Sequence, residues 1–305
     1  NNFKKLKKRS SIFNPYILLL IQPIFMSTNL VVARGGIEYV PPISLSFWRW
    51  LLVFLILLIF NFVTLKSKIK VIKKEYKQLF FLGLMGCGVC SIFPYTAGTT
   101  TTVVNMGIIY TSSPIFIFII SYFLFKEKIN KFKFLGLISC LVGVLIIIIK
   151  GDIYLLLNLK FTSGDLWMLG ASIGWALYSV YLFQWKSNLS VFSRFTLISF
   201  FGSLSILPFY LLEQAFVQST NFDLNFYIWI IFAALSPGLI AFSLYTLTQK
   251  YLGASTTGFT LYLFTVYGAF YGIIFFGETL EIYHYIGTIL VFFGIFLIKK
   301  KIDDI

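Results

Sequence analysis

The sequence predicts an all-α integral membrane protein of ten transmembrane helices, built as two inverted five-helix repeats. Three observations carry this. Ten apolar runs are each close to the ~20 residues a helix needs to cross a ~30 Å hydrocarbon layer. The basic residues fall on every second connection between those runs. Of the 25 Lys and Arg, Arg34, Lys150 and Lys160 fall on the opposite side and Arg49 falls within a run. Finally, features of the first half recur 151 residues later, with Gly136 and Gly143 returning as Gly287 and Gly294.

The spans are read at about 15–33, 43–65, 78–97, 103–125, 132–149, 164–184, 194–212, 226–248, 254–276 and 282–298. The first follows Lys4, Lys5, Lys7, Lys8 and Arg9, which imitates a signal peptide. It is long enough to span and lacks a convincing small-x-small cleavage site, so it reads as a retained helix. The second contains the unbroken apolar run from Leu51 to Phe60, without the alternation of a transmembrane strand, so helices are expected throughout. The third follows the basic stretch Lys66 to Lys77, the fourth precedes Lys126 to Lys133, and the fifth ends before Lys150. The sixth and seventh flank Lys186 and Arg194, the eighth ends before Lys250, and the ninth ends before Glu278. The tenth runs into the tail Lys299-Lys300-Lys301, while Glu38, Asp152, Asp165, Glu213, Asp223, Glu278 and Glu281 fall on the other side. The positive-inside bias then places both termini in the cytoplasm of a multi-pass protein of the cell (inner) membrane.

Composition agrees. The chain is 58% hydrophobic and 12% charged, with a mean hydropathy of +0.88, whereas soluble domains run at about 25% charged. The net charge of +14 sits in short loops and tails beside apolar spans, so the lipid bilayer with its anionic headgroups is the expected partner, and nucleic acid is not. Cys87 and Cys90 form a CxxC inside an apolar run, with no second CxxC or nearby His, which reads as helix packing rather than metal or redox chemistry. Cys140 stands alone.

Because five is odd, a second copy of a five-helix unit enters the membrane from the opposite side. The units are read as 15–150 and 164–298. Inverted repeats are a transporter signature, since two similar halves can exchange roles as inward and outward gates. The residues here resemble a known family. Thr111-Ser112-Ser113-Pro114, Phe125-Lys126-Glu127-Lys128, Leu135-Gly136 and Gly143-Val144 resemble the end of an EamA domain of the drug/metabolite transporter (DMT) superfamily. Phe276-Gly277-Glu278-Thr279-Leu280, Ile286-Gly287-Thr288 and Phe293-Gly294 repeat the pattern, with Thr265 where the first copy has Pro114. The resemblance covers about 15 to 298. It implies a ten-helix bundle moving small metabolites through a central cavity by alternating access, with many relatives exporting amino acids or related compounds.

Polar groups that persist in hydrocarbon usually face protein or a water-filled cavity. Gln22, Met26 and Asn29 fall on one face of the first helix, and Ser172, Trp175, Tyr178 and Ser179 on a comparable face of the sixth. The third offers Ser91 and Tyr95, the eighth Tyr245 and Gln249, the fourth Asn105 and Ser112, and the ninth Thr256, Thr260, Tyr262 and Tyr267. Gln22, Asn29, Arg49, Tyr95, Asn105, Trp175, Tyr178, Tyr245 and Tyr262 are the candidate substrate-binding set. Each has an alternative reading as an interhelical hydrogen bond or an interfacial aromatic. Arg49 has two accounts, a snorkelling cation between Trp48 and Trp50 or an anion-sensing residue at the outer cavity mouth. His284 reads as interfacial.

The expectation is a secondary transporter, not an enzyme, for a small neutral or zwitterionic metabolite, most often an exporter in such relatives. Uptake or exchange on the same fold is the alternative, and a membrane enzyme acting on lipid-linked substrates is a more distant one. No metal or cofactor is expected, and no Walker motif is present. No Asp or Glu lies mid-span, which argues against a buried carboxylate as ion carrier. A proton or other coupling ion acting through other groups, and the oligomeric state, are left open by the sequence.

Overall fold

The computed structural model describes residues 14–98, 100–127 and 130–299, without the side chains of residues 95, 98, 103, 104 and 299. The described residues are helical throughout, in ten membrane-scale units. α1 is Tyr16–Gly35, α2 Pro42–Ser67, α5 Lys131–Ile148, α6 Ser163–Gln184, α7 Val191–Phe216 and α10 Ile282–Lys299. α3 runs from Ile69–Gly83 through a π-helical turn at Leu84–Val89 into Cys90–Gly98. α8 runs likewise from Leu224–Ala233 through a π-helical turn at Ala234–Ile240 into Ala241–Leu252. α4 and α9 are each broken, into Val103–Tyr110 and Ser113–Phe125, and into Ala254–Thr257 and Thr260–Phe276. Among the described residues, nine units are long and apolar enough to cross a membrane, and Ile282–Ile298 is a shorter apolar tenth.

Local chemistry sets many of these boundaries. Side chains of Thr102, Asn130, Ser190 and Asp223 accept hydrogen bonds from the first-turn amides of α4, α5, α7 and α8. Pro114 stands in the first turn after the break in α4, where its missing N–H costs nothing. α9 breaks at Gly258 and Phe259 without a proline.

The arrangement is two-fold. α2 packs along α7 and α5 along α10, while α1 lies against α8 and α9 as α6 lies against α3 and α4. The α5–α10 contact shows the inversion directly. A Cβ on Gly136 would lie 2.6 Å from the Gly294 carbonyl oxygen, and one on Gly143 would lie 2.6 Å from that of Gly287. The helices therefore cross antiparallel about a point between Ser139 and Leu290, where the Ser139 hydroxyl donates to the Leu290 carbonyl at 2.8 Å. Large apolar side chains cover the outside, with Phe60 82% and Val63 81% exposed, a surface that only lipid can satisfy.

Two expectations need correcting. The basic stretch Lys66 to Lys77 is not a loop, because α2 ends at Ser67 and α3 starts at Ile69. Its apolar residues Val71, Ile72 and Leu79 turn inward at helical spacing, so the helix continues past the hydrocarbon. The fourth and ninth spans, read as continuous, are each interrupted. The Thr111-Ser112 hydroxyls bond back to the carbonyls of Ile108 and Ile109, local bonds that compete with helix continuation.

Candidate functional site

α1 and α6 are the most enclosed spans, half or more of each being buried, and they carry Gln22 and Asn29, and Ser172 and Ser179. On α6, Trp175 and Tyr178 stand one turn apart with ring centroids 5.4 Å from each other. The π-helical turn of α8 leads directly into Phe242 and Tyr245, which meet Trp175 at 5.6 and 5.3 Å. Such turns re-aim the side chains that follow and concentrate at functional sites. Trp50 of α2 closes the group against Phe242 at 4.8 Å and donates its indole N–H to Ser91 on α3 at 3.2 Å. Each edge-on aromatic pair adds about 0.5–1.5 kcal/mol beyond its burial, so the cluster is a firm wall.

Polar groups line its edges. Tyr245 Oη and Ser179 Oγ are 2.6 Å apart, and Gln249 donates to both Oγ and the carbonyl of Ser179 at 2.8 Å. Gln22 donates its amide to the Ala241 carbonyl at 3.2 Å and to the Met26 sulfur at 3.1 Å. The amide oxygens of Gln22 and Gln249 are buried with no hydrogen-bond partner among the described residues. A buried unpaired acceptor costs about 1–3 kcal/mol, a cost that a donor arriving from a substrate would remove. Arg49 is 7% exposed and donates Nη1 to Asn29 Oδ1 at 2.6 Å, with its guanidinium 4.7 Å from the Trp50 ring. It points into the bundle rather than snorkelling outward.

The structure thus brings Gln22, Asn29, Arg49, Trp175, Tyr178 and Tyr245 around one centre. Asn105 stands apart, donating to both Asp165 oxygens at 3.2 Å and to the Lys160 carbonyl at 3.0 Å. With Thr101, which also bonds Asp165, it ties the start of α4 to the start of α6. Tyr262 lies in a separate packing cluster with residues of α5 and α10, and its hydroxyl has no partner among the described residues. Tyr95 is on α3, and its side chain lies outside the described residues. Sequence reasoning missed Trp50 and Phe242, which hold the cluster together. In apolar runs rich in aromatics neither stands out, although Trp50 follows Arg49.

The centre is packed shut: Trp50 and Tyr245 are 0% and Trp175 2% exposed. Cavities of about 390 and 400 Å3 lie instead at the two ends of the bundle. The ends are tied across the repeats by charged groups. At the Lys-rich end, Lys133 donates to Glu127 at 2.9 Å and to Ser255, which also bonds Glu127. At the other end, Arg34 pairs with Glu278 at 2.6 Å and lies over Phe276. There too, both Glu213 oxygens accept from the first turn of α2, at 3.0 Å from the Ile43 amide and 2.6 Å from that of Ser44.

Known proteins resemble the chain over most of its length. A family model described as the EamA-like transporter family matches it twice, at residues 14–149 and 162–299. An uncharacterized transporter of Bacillus subtilis, YyaM, is 26% identical over 285 residues, 92% of each chain. Another from that organism, YetK, is 27% identical over 296 residues, 95% of this chain and 88% of its own. A solved crystal structure superposes with a TM-score of 0.75 at 17% identity, covering 93% of this chain and 96% of that one, which establishes the shared fold.

Proposed function

Because the chain belongs to the EamA-like transporter family, its domain present twice, we propose that it is a secondary transporter exporting a small zwitterionic metabolite, an amino acid or a close relative, by alternating access. The observation that carries this is the pairing of one inward-facing cation with aromatic walls and unpaired amide oxygens. Arg49, aimed by Asn29, supplies the planar two-pronged donor suited to a single carboxylate. Gln22 Oε1 and Gln249 Oε1 are acceptors for an ammonium, and the faces of Trp175 and Tyr245 can hold the same cation or a side chain. A phosphate dianion would require several cations, and Arg49 is the one that the sequence places well within an apolar run, toward its outer end.

Alternating access draws on the two broken helices, the two π-helical turns, and the distinct charged ties at the two ends. The basic end is read as cytoplasmic, which puts both termini inside. A periplasm-active reporter fused at the C-terminus should be silent and one near Asn221 active; the reverse result overturns the topology. Substrate class is tested by counterflow in proteoliposomes against a panel of amino acids and metabolites. Saturable uptake of a sugar phosphate, with amino acids failing to compete, would sink the reading.

A further inference from the structure

The cavity of about 390 Å3 at the Lys-rich end belongs to no part of the central site. It is lined by Lys70, Val71, Lys74, Glu75 and Gln78 on the first turns of α3, and by Lys186 and Asn188 in the α6–α7 connection. Lys70, Lys74 and Gln78 recur at every fourth residue, so one helix face presents all three to the cavity.

The cavity is a built feature. Glu75 is buried, and its carboxylate accepts from the Ser187 hydroxyl at 2.5 Å and from the Asn188 amide at 3.3 Å. Ser187 Oγ accepts in turn from the Leu189 amide at 3.1 Å, which fixes the connection opposite α3. Glu75 spends its hydrogen bonds on the loop, and among the described residues it forms no ion pair with a lysine of the cavity. Lys186 is itself held, donating to the Phe183 carbonyl at 3.5 Å with its ammonium 4.8 Å from the Phe183 ring. Among the described residues, neither Lys70 nor Lys74 has an ion-pair partner. Three lysines therefore face one cavity with a single carboxylate, a formal net charge of +2 (three Lys, one Glu).

The surroundings place this cavity at a membrane surface. Phe81, Tyr181 and Trp185 stack just below it, with centroids 4.4 to 5.5 Å apart, the kind of aromatic belt found at headgroup depth. Ile69, Tyr76 and Phe80 on the same stretch of α3 are exposed, at 51%, 49% and 41%, offering an apolar face beside the lysines. A ligand fitting both carries an anionic group, such as a phosphate, and acyl chains next to it.

We propose that this cavity binds the phosphate of an anionic phospholipid headgroup, clamping it between α3 and the α6–α7 connection. Lipid engagement there would bear on how α3 moves against α6 and α7, apart from any choice of transported substrate.

The test uses the full-length protein in a neutral detergent, with thermal unfolding followed by tryptophan fluorescence. Dioleoyl phosphatidylglycerol should raise the midpoint, and dioleoyl phosphatidylcholine at the same concentration should not. Each lysine near an anionic surface contributes about a fivefold factor in affinity, so the triple variant Lys70→Gln/Lys74→Gln/Lys186→Gln should need on the order of 100-fold more phosphatidylglycerol for the same shift. A control with equal charge loss outside the cavity, Lys66→Gln/Lys68→Gln/Lys250→Gln, should respond like wild type. Equal loss in both triples would reduce the effect to diffuse charge and overturn the site. Inorganic phosphate alone reproducing the shift would assign the cavity to a free anion and overturn the lipid. Should the triple not fold, the singles Lys70→Gln and Lys186→Gln carry the test, each expected to shift the response about fivefold while Lys66→Gln does not.

Discussion

The two repeats agree where backbone meets backbone and part where side chains meet at the ends. In the α5–α10 contact, Gly136 faces Gly294 and Gly143 faces Gly287 as mirror pairs. α4 and α9 end in the same way, on a left-handed residue at Lys126 or Gly277, with the next amide reaching back to Ser121 or Gly272. The charges that follow these identical turns do different things. Glu127 is locked by Lys133 and Ser255 in a pair whose side chains are 27% and 11% exposed, whereas Glu278 meets Arg34 in a pair about half exposed. His284 occupies the place in α10 that Lys133 has in α5, and caps its own helix by accepting from the Glu281 amide. On the proposed alternating-access reading, unequal end locks on a shared scaffold would let the two sides open at different cost.

The largest effect should come from breaking what the repeats share. Gly143→Val and Gly294→Val each drive a side chain into a facing carbonyl, which cannot rotate away as a side chain would. Each should cost about 3 kcal/mol or more, seen as loss of monodisperse protein in detergent. Gly107→Ala, whose new Cβ would meet only the flexible Ile148 side chain at 3.3 Å, should be tolerated. Comparable stability of all three would refute the close backbone crossing.

Next in size are the two unlike walls of the centre. Asn29→Ala removes an acceptor that helps to aim Arg49, and a hydrogen bond to a charged group is worth roughly 1.5–3 kcal/mol. Transport should fall about tenfold or more, with the amount in the membrane close to wild type. Trp175→Ala on α6 should likewise impair transport more than expression. If either variant vanished from the membrane while keeping full specific activity, its role would be packing.

The end locks should differ by less. Lys133→Ala strands a partly buried Glu127 and should cost roughly 2 kcal/mol, largely insensitive to salt. Arg34→Ala removes an exposed pair worth at most about 1 kcal/mol, which salt should erase. Equal costs would remove the asymmetry between the ends.

Much of this fold was legible because the membrane imposes it. Apolar length, loop charge and the paired glycines speak through composition and spacing, which survive without any knowledge of contacts. The helical start of α3 was not, since lysines at Lys70, Lys74 and Lys77 read as loop until Val71, Ile72 and Leu79 are seen to share the inner face. In the centre, Arg49 was visible as a charge in the wrong place, and α1 and α6 by their polar stripes. Phe242 was invisible, being one of 36 phenylalanines. Asn105 looked like a pocket residue because its Asp165 partner is 60 positions away, a pairing that no local pattern announces.

The smallest effect is also the most symmetric in form, and opposite in sign between the repeats. Lys126 has φ 53° and Gly277 φ 66°, the same left-handed turn at matching positions. For a residue with a Cβ this conformation costs roughly 1–2 kcal/mol, and for glycine almost nothing. A Cβ on Gly277 would find no atom within 4 Å, so Gly277→Ala tests backbone strain without a clash and should destabilise by about 1 kcal/mol. Lys126 is exposed, so Lys126→Gly should relieve the strain, although it also removes a cation that favours a helix C-terminus by about 0.3–1 kcal/mol. Lys126→Ala removes that cation while keeping the Cβ. The difference between the Gly and Ala variants at 126 therefore isolates the turn, and it should favour Gly by about 1 kcal/mol in reversible unfolding in mixed dodecyl sulfate micelles. If Ala and Gly proved equal at both positions, the left-handed turns would not be set by the backbone, and the closest sequence parallel between the repeats would have lost its physical reason.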